Sequence, residues 1–403
     1  MTNILSGMRI VEGAAFIAAP SGAMTLAQLG ADVIRFDLIG GGLDYRRWPV
    51  AKNNQSLFWA GLNKGKRSIA VDFRKPEGQE ILTRLISAPG DDAGIFLTNF
   101  PARGWLSDDK LRQHRADLIY LNLTGDRHGG SAVDYTVNPA MGLPFITGSI
   151  EQPVNHVLAA WDLITGQTLA LGLLAAERHR RNTGRGQMIK LALADVALAT
   201  LGNLGYIAEA QVNGVERDSY GNYLYGAYGK DFVTADRRRI MIVGLTGNQW
   251  RGIVEATGLG DAMAALGEQM QLNLLQEGDR FRAREQITAL LEPWFAERSY
   301  QQVADALDAR NVCWGQYQSI AELVARDPEC SEDNPLFQMV EQPGIGAYLT
   351  PTSPLQFSGF ERQAARPAPT VGQHTEEILA HELGMSSAEI GKLHDSGIVA
   401  SPA

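Results

Sequence analysis

The sequence predicts an α/β protein in which a large Rossmann-like domain with a parallel sheet is joined to a smaller α/β domain. Three observations carry this expectation. Short β-rich runs alternate with helical ones through the first third, the order that places helices on both faces of a parallel sheet. The 403 residues exceed what a single hydrophobic core usually holds. Near Tyr220 the texture changes to turn-rich, strand-like sequence, with helices following.

The elements follow in order. Arg9–Glu12 reads as a strand, Ser21–Leu29 as a helix and Asp32–Phe36 as a second strand. Ser68–Val71 is a third strand, and Glu77–Ser87 has the periodicity of an amphipathic helix. Further strands fall at Gly94–Leu97 and Leu118–Leu123. A long apolar helix runs from about Asp162 to His179, and its basic end followed by Gly184 is a stop signal. Gln187–Leu193 reads as a strand and Asp195–Gln211 as one helix with an acidic start. Strand-like sequence continues to Leu245 and helices to about Arg310. The tail returns to short strands over Glu341–Phe357, then two helices near Thr375–Leu383 and Ser387–His394. These patterns divide the chain into a large domain (1–224), a small domain (225–315) and a segment returning to the large one (316–403).

Composition excludes several classes. With 45% hydrophobic and 20% charged residues the chain is ordinary globular material. A formal charge of −9 argues against a nucleic-acid partner, though not against a small anionic ligand in a local basic pocket. No apolar run approaches the ~18 residues of a membrane helix, and Met1–Ile10 lacks a secretory pattern, so a cytoplasmic protein is expected. Cys313 and Cys330 cannot build a disulfide framework or a four-thiolate zinc site. The histidines show no metal-ligand spacing, and no GxSxG elbow is present. Gly13–Gly22 lacks GxGxxG, and Pro20 occupies the expected helix start, which disfavours a dinucleotide. No metal or redox cofactor is therefore expected.

Basic residues gather on the loops after predicted strands: Arg46, Arg47, Lys64, Lys66, Arg67, Arg103 and Arg127. Brought to one sheet edge, they suit a polyphosphate ligand; dispersed, they form a solvated rim. Asp162 stands just before the long apolar helix. Its ordinary role there is an N-cap. The same place offers free N–H groups and the positive end of the helix dipole, which suit an ionised carboxylate and a nearby oxyanion.

Five blocks together resemble the family III CoA-transferases. They are Leu5–Val11 with Ala19-Pro20 and Leu29–Ile34; Asn63–Ile69 with Asp72 and Pro76–Gly78; Asn99-Phe100; Thr183–Gln187; and Gly372–Thr375. The resemblance spans essentially the whole chain. It implies an interlocked homodimer acting on an acyl-CoA, with Asp162 as the catalytic nucleophile. It implies CoA contacts at Ile17, Ala18, Leu62, Asn63, Lys64, Gly65, Asn99, Phe100, Thr124, Gly125, Asp126 and Arg127, and at Arg103 through a shorter loop. Leu38 stands where many relatives carry a nucleotide-gripping Arg. Ile17 replaces the Gln of formyl-CoA transferases, and Tyr223-Leu224-Tyr225 replaces their glycine run, which implies a tighter, more apolar cavity.

The segments Ile39–Tyr45, Phe58–Lys66, Asn99–Leu106, Asp134–Pro139 and Gly221–Gly226 are similar to members that move CoA from C1 to C4 of one C5 diacid, methylfumarate, in the 3-hydroxypropionate bicycle. The alternative is intermolecular transfer to a free acid such as succinate. Arg47, Tyr135 and Asn222 are candidates for the distal carboxylate, and Tyr223 and Tyr225 for the pocket wall.

Overall fold

Alternating burial along the strands sets the layers of the fold. The computed structural model describes residues 3–402. The chain forms two units, the first comprising the chain up to Gly142, Asn155–Val215 and the chain from Pro328. Its early elements are β1 (Arg9–Gly13), α1 (Ala18–Ala27), β2 (Asp32–Asp37), α2 (Leu57–Leu62), β3 (Arg67–Val71), α3 (Pro76–Ile86) and β4 (Ile95–Thr98). Then come α4 (Asp108–His114), β5 (Ile119–Thr124) and α5 (Asp134–Ala140). After α6 (Leu143–Thr147), which belongs to the second unit, follow α7 (Ala160–Thr183), β6 (Met188–Ala192), α8 (Leu193–Asn203) and α9 (Tyr206–Asn213).

The six strands pair in parallel in the order β3-β2-β1-β4-β5-β6. Ile10, Val33, Ile95 and Ile119 pack against α1 and α7 on one face. Their neighbours Val11, Ile34, Phe96 and Tyr120 pack against α3 and α4 on the other. The strand order reverses between β1 and β4, which opens a crevice at their carboxyl ends where ligands of such sheets bind.

The α1–α7 contact fixes the start of α7. A Cβ on Gly166 would lie 2.3 Å from Ser21 Oγ and 2.8 Å from Ala18 O, so only glycine lets the two backbones meet. Gly166 lies one turn after Asp162, on the same helix face. At its far end α7 stops at Gly184, left-handed at φ 69°, as the sequence predicts. Arg180 is buried there and donates to Gly94 O (2.9 Å) and Asp91 O (3.0 Å). The single helix expected over Asp195–Gln211 is instead α8 and α9. Gly205, at φ 82°, breaks it, and α8 starts at Leu193 rather than at the acid.

The second unit, Leu143–Val154 with Glu216–Asp327, is wider than the expected 225–315. Tyr220 and Tyr225 pack edge-on against Phe281, which draws the segment before 225 into this unit. Its antiparallel sheet is β7 (Tyr228–Val233), β8 (Arg239–Gly244) and β9 (Cys313–Gln316), with β8 central. Helices α10 (Gly247–Thr257), α11 (Gly260–Met270), α12 (Glu277–Arg282), α13 (Arg284–Ala296), α14 (Tyr300–Asp308) and α15 (Ile320–Arg326) complete it. Tyr228, Ile240, Trp250, Ile287 and Phe295 lie in its core.

The chain then re-enters the first unit as a hairpin, β10 (Phe337–Gln342) and β11 (Gly346–Pro351), earlier than the expected Glu341–Phe357. Helices α16 (Thr375–Leu383) and α17 (Ser387–Asp395) fall where the sequence places them. Ile378 and Ile390 join the core shared with α3. β12 (Val399–Ala400) adds an antiparallel edge to β3. Among the described residues no helix is long and apolar enough to cross a membrane.

Candidate active site

Asp162 is the third residue of α7, not its cap; Ala159 holds the cap position without a side-chain bond. Asp134 does the capping. Its Oδ2 accepts the Trp161 backbone N–H at 2.7 Å, and its Oδ1 lies 2.8 Å from His156 Nε2. Asn138 Oδ1 accepts the Trp161 indole N–H at 3.1 Å. With that work done by Asp134, no hydrogen bond or ion pair among the described residues engages the Asp162 carboxylate. The N-cap role that was open for Asp162 is thereby filled by another residue.

Asp162 is half-buried in a cavity of about 350 Å³, lined also by Ala15, Phe16, Ala18, Asn99, Phe100, Thr124 and Gly125. These residues come from the carboxyl ends of β1, β4 and β5, at the crevice the strand order creates. Asn99 pins the β1–α1 loop: its Oδ1 accepts from Ala15 N (3.1 Å) and its Nδ2 donates to Ala15 O (2.9 Å). Phe16 in this loop is left-handed at φ 71°, a conformation that costs a non-glycine residue about 1–3 kcal/mol. The first-turn amides of α1, Ala18 and Ala19, have no backbone acceptor among the described residues, since no helical acceptor precedes them.

Burial, reinforced by the charge of Asp134, pushes the Asp162 carboxyl up to about 6, against the opposing pull of Arg47. A nucleophilic carboxylate must be ionised. A reaction that uses Asp162 as its nucleophile should therefore slow with unit slope as the pH drops through about 6. A pH profile of kcat/KM checks this; an acid limb near the usual carboxylate range would contradict it.

The basic residues do not all reach one edge. Lys66 is buried, with Nζ 2.7 Å from Glu12 Oε2, and Arg67 pairs with Asp32, Glu377 and Glu382. Both hold the fold together. Lys64 is buried with no hydrogen bond or ion pair among the described residues, and burial pushes its ammonium down to about 8. Arg46, Arg47, Arg103 and Arg127 are exposed. Arg127, with Lys190, lines a second cavity of about 530 Å³ that shares Thr124 and Gly129 with the first.

Several expected CoA contacts have their side chains committed elsewhere. Asn63 accepts from Arg35 (3.2 Å) and Lys66 (2.9 Å) and donates to Trp59 O (3.1 Å). Asp126 accepts from His128 N (2.8 Å) and Gly130 N (2.9 Å), which holds its carboxyl below the usual range. Such residues offer a ligand mainly their backbone. Ile17 is the N-cap residue of α1, and Leu38, Leu62 and Gly65 are half-buried at the ends of their elements.

Asn222, Tyr223 and Tyr225 lie in the second unit and are engaged there. Asn222 bonds Asp231, the Tyr223 hydroxyl donates to Thr288 Oγ1 at 3.1 Å, and Arg217 lies 3.9 Å from the Tyr225 ring centre. Asp134 and Asn138 fall within the Asp134–Pro139 segment of resemblance, but sequence reasoning assigned no role to them, to His156 or to Phe16, because Asp134 and His156 meet only through folding. Among the described residues no cluster of three His, Cys, Asp or Glu side chains is placed to hold a metal ion.

The sheet has the strand order of a Rossmann-like fold, with the Asp162 carboxylate at its switch point. The model of CoA-transferase family III matches residues 5–375, and the chain belongs to that family. It is 62% identical to the 2-methylfumaryl-CoA isomerase of Chloroflexus aurantiacus, over 100% of this chain and 99% of that protein. A succinate–glutarate CoA-transferase of Agrobacterium fabrum is 29% identical over 93% of this chain and 95% of its own. The crystal structure of a CAIB/BAIF family protein from Brucella suis superposes with a TM-score of 0.77 at 24% identity, covering 94% of this chain and 99% of that one. That likeness concerns the fold.

Proposed function

We propose that this chain converts 2-methylfumaryl-CoA into 3-methylfumaryl-CoA by intramolecular CoA transfer through Asp162. The observation that carries this is the uncommitted, half-buried carboxylate at the switch-point cavity, in a chain 62% identical to a 2-methylfumaryl-CoA isomerase over its full length. The 3-hydroxypropionate bicycle is the metabolic setting that goes with that activity. A homodimer working in the cytoplasm, with no metal or redox cofactor, completes the proposal.

The chemistry follows from the side chain. The Asp162 carboxylate attacks the C1 thioester carbonyl. The C–S bond breaks, giving a mixed aspartyl–acyl anhydride and CoA thiolate. The thiolate attacks Asp162 Cγ and expels the diacid as its dianion, leaving an aspartyl-CoA thioester. The diacid turns over, and its C4 carboxylate attacks Cγ and expels the thiolate. The thiolate then attacks the C4 acyl carbon and releases Asp162. No net proton is consumed, so a carboxylate serves without a general base.

Amide donors such as Ala18 and Ala19, if they bind the tetrahedral oxyanion, each contribute about 3–4 kcal/mol to the transition state. Anhydrides hydrolyse, so the apolar wall formed by Phe16, Phe100 and Leu193 has the task of keeping water out.

Isotope exchange tests the intramolecular course. With unlabelled 2-methylfumaryl-CoA and labelled free mesaconate, mass spectrometry should find the product unlabelled. Substantial label in the product would replace this reading with intermolecular transfer, and a panel of acids including succinate would then identify the acceptor.

A further inference from the structure

We propose that Arg47 binds the free carboxylate of the diacid while Asp162 exchanges the other one, and so makes the site selective for dicarboxylic acyl groups. The inference rests on the CoA-transfer reading above and adds its specificity determinant.

Arg47 differs from the arginines that hold the first unit together through ion pairs. Arg35, Arg67, Arg74, Arg112, Arg115 and Arg181 are all paired with Asp or Glu. The Arg47 guanidinium meets no carboxylate or carbonyl among the described residues. It lies against two aromatic rings instead, 5.7 Å from the centre of Phe16 and 5.3 Å from that of Phe58. Phe16 is part of the wall of the Asp162 cavity. Arg47 is thus a guanidinium held by aromatic contacts, with no acidic partner among the described residues to neutralise it.

Its position is prepared from below. The Arg47 N–H donates to Asp44 O (3.2 Å), and its carbonyl accepts from Ser56 Oγ (2.6 Å). Asp44 is itself buried and gripped through both oxygens by Arg35 at 3.1 Å. The charge of Arg47 reaches Asp162, where it favours the ionised form.

The other two candidates for the distal carboxylate are occupied. The Tyr135 hydroxyl donates to Val157 O (3.3 Å), and Asn222 is bonded to Asp231. A methylfumarate has a carboxyl group at each end of a short, rigid carbon chain. Whichever end is not being acylated can meet the same guanidinium, so one residue serves both the C1 and the C4 thioester. It also retains the free diacid between the two half-reactions.

The test compares 2-methylfumaryl-CoA with its neutral isostere, (E)-2-methylbut-2-enoyl-CoA, in which a methyl replaces the free carboxylate. Hydroxylamine converts the acylated Asp162 into a hydroxamate, and its rate of formation is followed by mass spectrometry. The full-length wild type should favour the diacid by about 100-fold or more. In Arg47→Ala that preference should collapse to below about 5-fold, and Arg47→Lys should restore part of it. A variant damaged only in its folding loses both substrates equally and keeps the ratio; that result, or a full preference in Arg47→Ala, overturns the proposal. Diacid-selective trapping that depends on Arg47, with no isomer formed, would sink the isomerase reading while leaving the role of Arg47 intact.

Discussion

Asp162→Ala should abolish CoA transfer, lowering kcat by on the order of 10⁴-fold or more, because no other group in the cavity can carry both the acyl group and the thiol. The fold should survive, and at neutral pH it should gain stability. Burial raises the Asp162 pKa from the ordinary 3.8 to about 6, so the native state binds this proton more tightly than the unfolded chain does. Stability is therefore lost as the pH rises through that window, and above about 6 the whole penalty is present. Removing the carboxylate should lift Tm at pH 7 and leave it unchanged near pH 3. The gain is on the order of 1–2 kcal/mol once solvent screening of a half-buried group is allowed for. Activity assays with thermal melts at both pH values check the pair of outcomes. An active alanine variant would remove the nucleophile assignment. The Asp162→Asn variant is a poorer probe, since deamidation restores the acid.

Away from Asp162, Arg35→Ala should be the most damaging change. Arg35 is fully buried, 2.9 Å from Asp37, 3.1 Å from Asp44 and 3.6 Å from Glu12, with Trp59 stacked at 4.4 Å. Lys66 is the second cation of this network. Three carboxylates thus share two cations, and burial together with the charge of Asp37 already raises the Asp44 carboxyl above its ordinary value. Without Arg35, Asp37 and Asp44 lose their main partner inside the protein.

Breaking a buried pair in this way costs about 3–5 kcal/mol, a large share of the ~5–15 kcal/mol that holds a typical domain folded. Denaturant titration should show that loss, and Tm should fall by roughly 10 °C. Arg35→Lys should rescue little, because an ammonium cannot reproduce the planar fork shared between Asp37 and Asp44. A variant with wild-type stability would show that the network is replaceable. The damage should extend to the site, since Asp44 anchors the backbone of Arg47.

How much of this was legible depended on the range of each interaction. The first-unit strands and α7 were readable because burial of one face leaves a local trace. Ile10 and Val11, or Val33 and Ile34, point to opposite cores, and Gly184 ends its helix with its own backbone. The break at Gly205 was missed because the apolar pattern continues across it, and only the left-handed residue divides α8 from α9. The basic residues looked alike in sequence. Lys66 and Arg67 found carboxylates on other strands and helices, whereas Arg47 found aromatic rings.

The sequence by itself determined the alternating α/β architecture, the absence of a dinucleotide loop, and an acidic residue at the head of the long helix. Tertiary structure alone decided that Asp134, rather than Asp162, caps that helix, and so left Asp162 uncommitted. It also decided which cations are consumed inside the protein and which remain for a ligand. The reason is physical: backbone periodicity is written along the chain within a few residues, while the partner of a buried charge is chosen by proximity in space, between segments that loop closure brings together.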